Sequence, residues 1–167
     1  MFDYCQPTRI HFGTGRLKEL GTICSRYGKR CLLVTTPDAP LQPLYDRVKG
    51  SLSEQGIKVL HFDQVTPNPS VEMVEQGFEL LKANGADFVL GVGGGSSIDT
   101  AKTLAFTYGK EQIDWDELFE RFSSPVVNYE NYSETVLPLI TVPTTSGTGS
   151  QVTQAAVITR EIGRAHV

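Results

Sequence analysis

Two hydrophobic rhythms alternate along the chain. Cys31–Thr35 (CLLVT) and Phe88–Val92 (FVLGV) are short, nearly continuous apolar runs; Ile57–Phe62, between them, is the next strand. Runs of this kind read as strands covered on both faces. Between them the period lengthens to that of a helix. Leu17–Tyr27 carries Leu17, Leu20 and Ile23 or Cys24 on one face and stops at Gly28. Leu41–Gln55 reads as a second helix, ended by Gly56. Val71, Val74, Phe78 and Leu81 form the stripe of a third, with Ser70 as its cap and Asn84-Gly85 as its end. Thr66-Pro67-Asn68-Pro69 breaks the chain before it, because each proline holds the preceding residue extended. A fourth helix begins near Ser97 and runs to about Tyr108.

The flanks are less regular. Arg9–Phe12 reads as a short edge strand closed by Gly13-Thr14-Gly15, and Val136–Val142 and Val152–Thr159 as further strands. Between Gly109 and Glu134 the pattern supports one helix, Trp115–Phe122. Strands that alternate with helices predict an α/β fold with a doubly wound, mostly parallel sheet. Residues 1–160 form one domain on this reading. Glu161–Val167 (EIGRAHV) follows neither period, and one codon choice for it matches sequencing-adapter read-through, so 161–167 is expected to be a non-native tail.

Composition narrows the function classes. The 167 residues are 40% apolar and 20% charged, which fits a folded domain rather than a disordered or membrane-spanning chain. Fifteen Lys and Arg against nineteen Asp and Glu give a net charge of −4, which argues against a nucleic-acid partner. Cys5, Cys24 and Cys31 form no CxxC pair, so neither a disulfide framework nor a thiolate zinc site is indicated. No signal-peptide pattern opens the sequence and no apolar run reaches membrane-spanning length, so no membrane association and a cytoplasmic location are expected. The glycosylation pattern at Asn131-Tyr132-Ser133 is taken as chance.

Two stretches carry candidate chemistry. In Gly91–Lys102 (GVGGGSSIDTAK) a buried strand feeds a glycine-rich turn that opens a helix. Glycines permit close backbone approach, and the free N–H groups at a helix start favour a phosphate. Ser96 and Ser97 add hydroxyls. The alternative is a tight turn with capping serines. The stretch lacks both the usual dinucleotide fingerprint and a Walker lysine. The second stretch, Pro143–Thr153 (PTTSGTGSQVT), is dense in hydroxyls and also follows a strand. In a doubly wound sheet both loops leave the carboxyl ends of strands, so they can face one crevice. A solvated surface loop is the alternative for the second.

Together GGGSSIDTAK and PTTSGTGSQVT resemble the signature stretches of the iron-containing, metal-dependent alcohol dehydrogenases, over about Arg9–Thr159. Glycerol dehydrogenase and dehydroquinate synthase are more distant and share the fold. The resemblance implies a Rossmann-like N-terminal domain that binds NAD or NADP, followed by a helical domain that holds a divalent metal, iron or zinc. It places the cofactor pyrophosphate on Gly94, Gly95 and Ser96, and Asp99 toward the nicotinamide end. It makes Asn68, Thr144, Thr145 and Thr153 further cofactor contacts. It puts Thr36 where many members carry an aspartate for the adenosine ribose, which opens NADP binding; Asp38 stands close enough to substitute.

The family's metal ligands lie beyond the second motif, and the helical domain is absent from this sequence. His11 and His61 are isolated and His166 lies in the doubtful tail, so no metal site and no catalytic residue are assigned. The implied activity is reversible hydride transfer between an alcohol and its aldehyde or ketone. This chain would supply the cofactor half and show weak or no turnover alone. A small-molecule alcohol or carbonyl substrate and a homo-oligomeric full-length enzyme are implied. A nucleotide-binding module without catalysis, a polyol dehydrogenase and a maleylacetate reductase are the alternatives. Trp115, Phe119, Phe122 and Tyr129 are expected either to leave a bare apolar face or to fold into the local core.

Overall fold

In the computed structural model, residues 7–122 and 134–160 are described. Four strands, β1 (Arg30–Val34), β2 (Lys58–Phe62), β3 (Phe88–Gly93) and β4 (Leu139–Pro143), pair in the order β2-β1-β3-β4. Every pairing is parallel, with Val34 beside Phe62 and Gly91, and Gly91 beside Thr141. The chain therefore winds one way from β1 to β2 and the other way from β3 to β4. Helix α1 (Leu20–Cys24) and α2 (Gln42–Glu54) cover one face; α3 (Val71–Asn84) and α4 (Gly95–Thr107) cover the other. Helix α5 (Trp115–Phe122) packs on the α3–α4 side.

Strand alternation sorts the core into two layers. Leu32, Val34 and Val89 point at Val74, Phe78 and Leu104 of α3 and α4. Cys31, Leu33 and Leu90 point the other way, at Tyr45, Val48 and Leu52 of α2. Each large side chain so buried stabilises the fold by about 1.5–3 kcal/mol relative to exposure. The expected stripe Val71, Val74, Phe78, Leu81 is buried in full. The Ser70 hydroxyl accepts from the Met73 amide at 3.3 Å, as a helix cap should. Trp115 joins the core, donating from its indole to Glu75 at 2.8 Å. Phe119 stacks against it, so these two rings take the packed alternative; Tyr129 lies outside the described residues.

The flanks differ from expectation. Residues 9–12 form no strand: no strand among the described residues offers them a ladder, and Ile10 and Phe12 are exposed. The expected helix over 17–27 is a 3-10 helix, Arg16–Glu19, followed by the short α1. The expected strand 152–159 is a 3-10 turn, Ser150–Val152, and irregular chain with a single bridge from Thr159 to Ser70. Side-chain contacts described below, rather than a ladder, hold that segment. No helix among the described residues is long and apolar enough to cross a membrane.

Candidate functional site

The winding reverses between β1 and β3, and a crevice of about 250 Å³ opens there above the carboxyl ends of the strands. Ligands in open parallel sheets bind at such reversal points. Three loops build the walls. The loop after β1 supplies Thr36 and Asp38, the loop after β3 supplies Gly94–Ser97, and the loop after β4 supplies Thr144 and Thr145. Pro67 and Leu41 close the sides.

The turn after β3 is made by backbone geometry. Gly93 has φ 150°, a conformation that side-chain-bearing residues rarely adopt, and a Cβ there would land on the Ser97 hydroxyl. Gly94 is the N-cap of α4 in extended conformation and no side chain caps it. A Cβ on Gly94 would stand 3.2 Å from Thr145 Oγ1, so the side facing the third loop is shaped to bare backbone. The first amides of α4 have no carbonyl one turn back to bond. They point into the crevice with the positive end of a thirteen-residue helix behind them. Ser97, fully buried at the crevice base, has a hydroxyl with no hydrogen-bond partner. A buried unpartnered hydroxyl costs about 1–3 kcal/mol. Free amides, an orphaned hydroxyl and a glycine cradle together suit a phosphate group.

The third loop is tied to this turn. The Thr144 amide donates to the Gly93 carbonyl at 2.9 Å. Farther out, Asp99 on α4 acts as a clamp. Its carboxylate accepts from the Ser150 hydroxyl at 2.5 Å and from the Val157 amide at 3.2 Å. Lys102, one turn on, stands 3.8 Å from Asp99 and donates to the Ala155 carbonyl at 2.6 Å and to Thr153 Oγ1 at 3.3 Å. Burial pushes the Lys102 ammonium below its ordinary pKa, while the Asp99 charge pulls the other way.

Gly94, Gly95, Ser96, Thr36, Thr144 and Thr145 thus come together around one crevice. Asn68 is exposed beside Pro67, with the left-handed φ of 55°, and its side chain is not among the walls. Asp99 and Thr153 sit at the outer clamp, also off the walls. Sequence reasoning passed over Ser150 and Lys102 as partners of Asp99. The only signal for them was the hydroxyl density of the second loop and a lysine one helical turn after the aspartate.

The family model described as iron-containing alcohol dehydrogenase matches residues 7–167. The chain belongs to the iron-containing alcohol dehydrogenase family. Its relatives include a choline dehydrogenase of Bacillus subtilis, 41% identical over 93% of this chain and 37% of that protein. An NADH-dependent butanol dehydrogenase A of Clostridium acetobutylicum is 34% identical over 94% of this chain and 38% of its own length. The crystal structure of an iron-containing alcohol dehydrogenase from Thermotoga maritima superimposes with a TM-score of 0.83 at 32% identity, covering 96% of this chain and 43% of that one. The chain therefore spans somewhat more than a third of the length of the curated relatives it matches.

Whether these residues fit the iron of the family name is a separate matter. Among the described residues no three His, Cys, Asp or Glu side chains gather as a metal site. His61 is committed to Thr35 Oγ1 at 2.9 Å, and His11 lies 3.4 Å from the Arg16 guanidinium. The described residues do not fit the metal.

Proposed function

We propose that this chain is the nicotinamide-nucleotide half of a metal-dependent alcohol dehydrogenase acting on a small alcohol and its aldehyde or ketone. The carrying observation is the crevice at the winding reversal, where the uncapped start of α4 and the orphaned Ser97 hydroxyl meet a glycine cradle. The nucleotide, when bound, supplies the hydride acceptor or donor. The amides of Gly95 and Ser96 bind the pyrophosphate, and Thr144 and Thr145 orient it from the opposite wall. Thr36 and Asp38 face the adenosine side. Asp99 and Thr153 position the third loop through Ser150 and Lys102, and Asn68 flanks the entrance. The divalent metal, iron or zinc, falls to the remainder of the longer protein that the relatives' lengths imply.

Titration with NADH and NADPH, read by nicotinamide fluorescence, tests this reading. At least one is expected to bind with saturation and to be displaced by ADP. Ser97→Ala has a two-sided signature. Removing an unpartnered hydroxyl is expected to raise the stability of the free protein by about 1 kcal/mol. The same change is expected to weaken nucleotide binding several-fold. Absence of binding by either nucleotide would overturn the proposal.

A further inference from the structure

One side chain ties both ends of the loop that closes the crevice at Pro67. Between β2 and α3 the chain runs Thr66-Pro67-Asn68-Pro69-Ser70. Its two prolines carry no N–H, so the stretch has few donors with which to anchor itself. At the exit, the Ser70 hydroxyl accepts from the Met73 amide at 3.3 Å, and the Thr159 amide donates to the Pro69 carbonyl at 2.7 Å. At the entry, the Val65 amide donates to the Thr35 carbonyl at 3.2 Å. The next amide, of Thr66, donates to the sulfur of Met73 at 3.4 Å, and the Thr66 hydroxyl stands 3.9 Å from the same atom. Met73 is buried with Val65, Val71 and Val74, so the core fixes where its sulfur stands. Between these ties Pro67 meets the crevice and Asn68 holds the left-handed φ of 55°. A residue with a side chain keeps that conformation where its surroundings hold it.

We propose that Met73 is a positioning residue for the nucleotide: its sulfur fixes the Thr66 amide, and through it the place of Pro67 at the crevice wall and of Asn68 beside it. The proposal rests on the cofactor reading above. Met73 is not itself a crevice wall, so it acts through the loop alone. A thioether accepts hydrogen bonds weakly and also packs well, and the two roles are separable. Leucine fills the same space at little cost to the core but offers no acceptor. Without the sulfur the Thr66 amide turns to solvent and the loop samples other positions. The apparent affinity for the nucleotide then falls with the fraction of molecules that keep the loop in place.

The test separates the sulfur from the packing, on the protein carrying this sequence. Met73 is the sole methionine after Met1, so growth on norleucine exchanges this one internal sulfur for a methylene. Growth on selenomethionine keeps an acceptor there. Met73→Leu is the genetic counterpart of the norleucine protein, which keeps the test open should the leucine variant fold poorly. Three quantities are read: the urea midpoint, hydrogen exchange at the Thr66 amide, and the dissociation constant of whichever of NADH and NADPH binds. Norleucine is expected to leave the midpoint in place, to speed exchange at Thr66, and to weaken binding about fivefold, the factor that goes with one hydrogen bond. Selenomethionine is expected to leave all three unchanged. A packing role alone would leave the norleucine protein's affinity intact, or lower affinity and midpoint together; either result overturns the proposal while the cofactor reading stands. Failure of both nucleotides to bind the unmutated protein overturns the cofactor reading and this proposal with it.

Discussion

The two loops that meet over the sheet are held by different physics. The turn at Gly93–Ser97 is fixed by main-chain geometry: a positive φ at Gly93, a strand below and a helix above. The loop after β4 is fixed by side chains, with Asp99, Lys102 and Ser150 gripping a segment that has almost no ladder of its own. A backbone-made site comes preorganised and fails sterically. A side-chain-held loop can be loosened by changing one atom. The first suits a pyrophosphate that must be met by fixed amides. The second suits a wall whose position is set from outside the crevice.

The largest expected effect lies in the backbone-made turn. Gly93→Ala adds a Cβ that collides with Ser97 and forces a residue with a side chain into a disfavoured φ. Destabilisation of about 2–4 kcal/mol is expected, read from urea unfolding. Gly94→Ala sharpens the comparison. Its φ of −80° suits alanine, and the new Cβ meets only the Thr145 side chain, Oγ1 at 3.2 Å and Cγ2 at 3.6 Å. Stability should fall by under about 1 kcal/mol, since a contact this mild needs only a small shift. Nucleotide binding should nonetheless fall strongly, because the cradle is filled. Equal stability losses in the two variants would show that the turn is not governed by φ.

The side-chain-held loop yields the next effect. Asp99→Asn keeps the shape but removes one acceptor from the clamp and leaves Lys102 without its counter-charge. A cost of about 2 kcal/mol is expected, near the low end for breaking a buried charged contact. Hydrogen exchange locates it: the Val157 amide should exchange faster, while amides of β3 keep their protection. Loss of protection in β3 as well would mean that the two loops are one mechanical unit, and the contrast between them would fall.

The same contrast marks what the sequence made legible. β1 and β3 were readable as continuous apolar runs and α3 as a helical stripe, because each buries those residues in the core. The glycine turn was readable for the same reason that it is rigid: main-chain constraints write themselves as Gly-Gly-Gly before a helix. The Asp99 clamp was not. Its partners lie 51 and 58 residues away, and long-range hydrogen bonds leave no local period. Residues 9–12 and 152–159 read as short strands, yet a strand needs a neighbour, and pattern alone does not supply one. The hydrogen-bonded set of Thr36, Asp38 and Tyr45 was half visible, as a threonine and an aspartate two residues apart. Tyr45 completes it only because α2 lies over the end of β1.

The smallest expected effect probes the floor on which the first loop stands. His61, half-buried on β2, bonds Thr35 just before the crevice. Burial pushes its pKa below the ordinary 6.5; Asp63 and Asp46 oppose that shift, and Lys49 adds to it. The unfolded chain therefore binds more protons than the folded one between the depressed value and 6.5. Stability should rise with pH through that window and level off above it; as pH falls through the window the His61 contribution is lost. Denaturant unfolding between about pH 5 and 8 measures this slope, and His61→Gln should remove His61's share of it. If the turn at Gly93 is truly held by its main chain, nucleotide affinity should not follow the same titration. A loss of affinity in acid that His61→Gln abolishes would show a side chain holding the crevice after all.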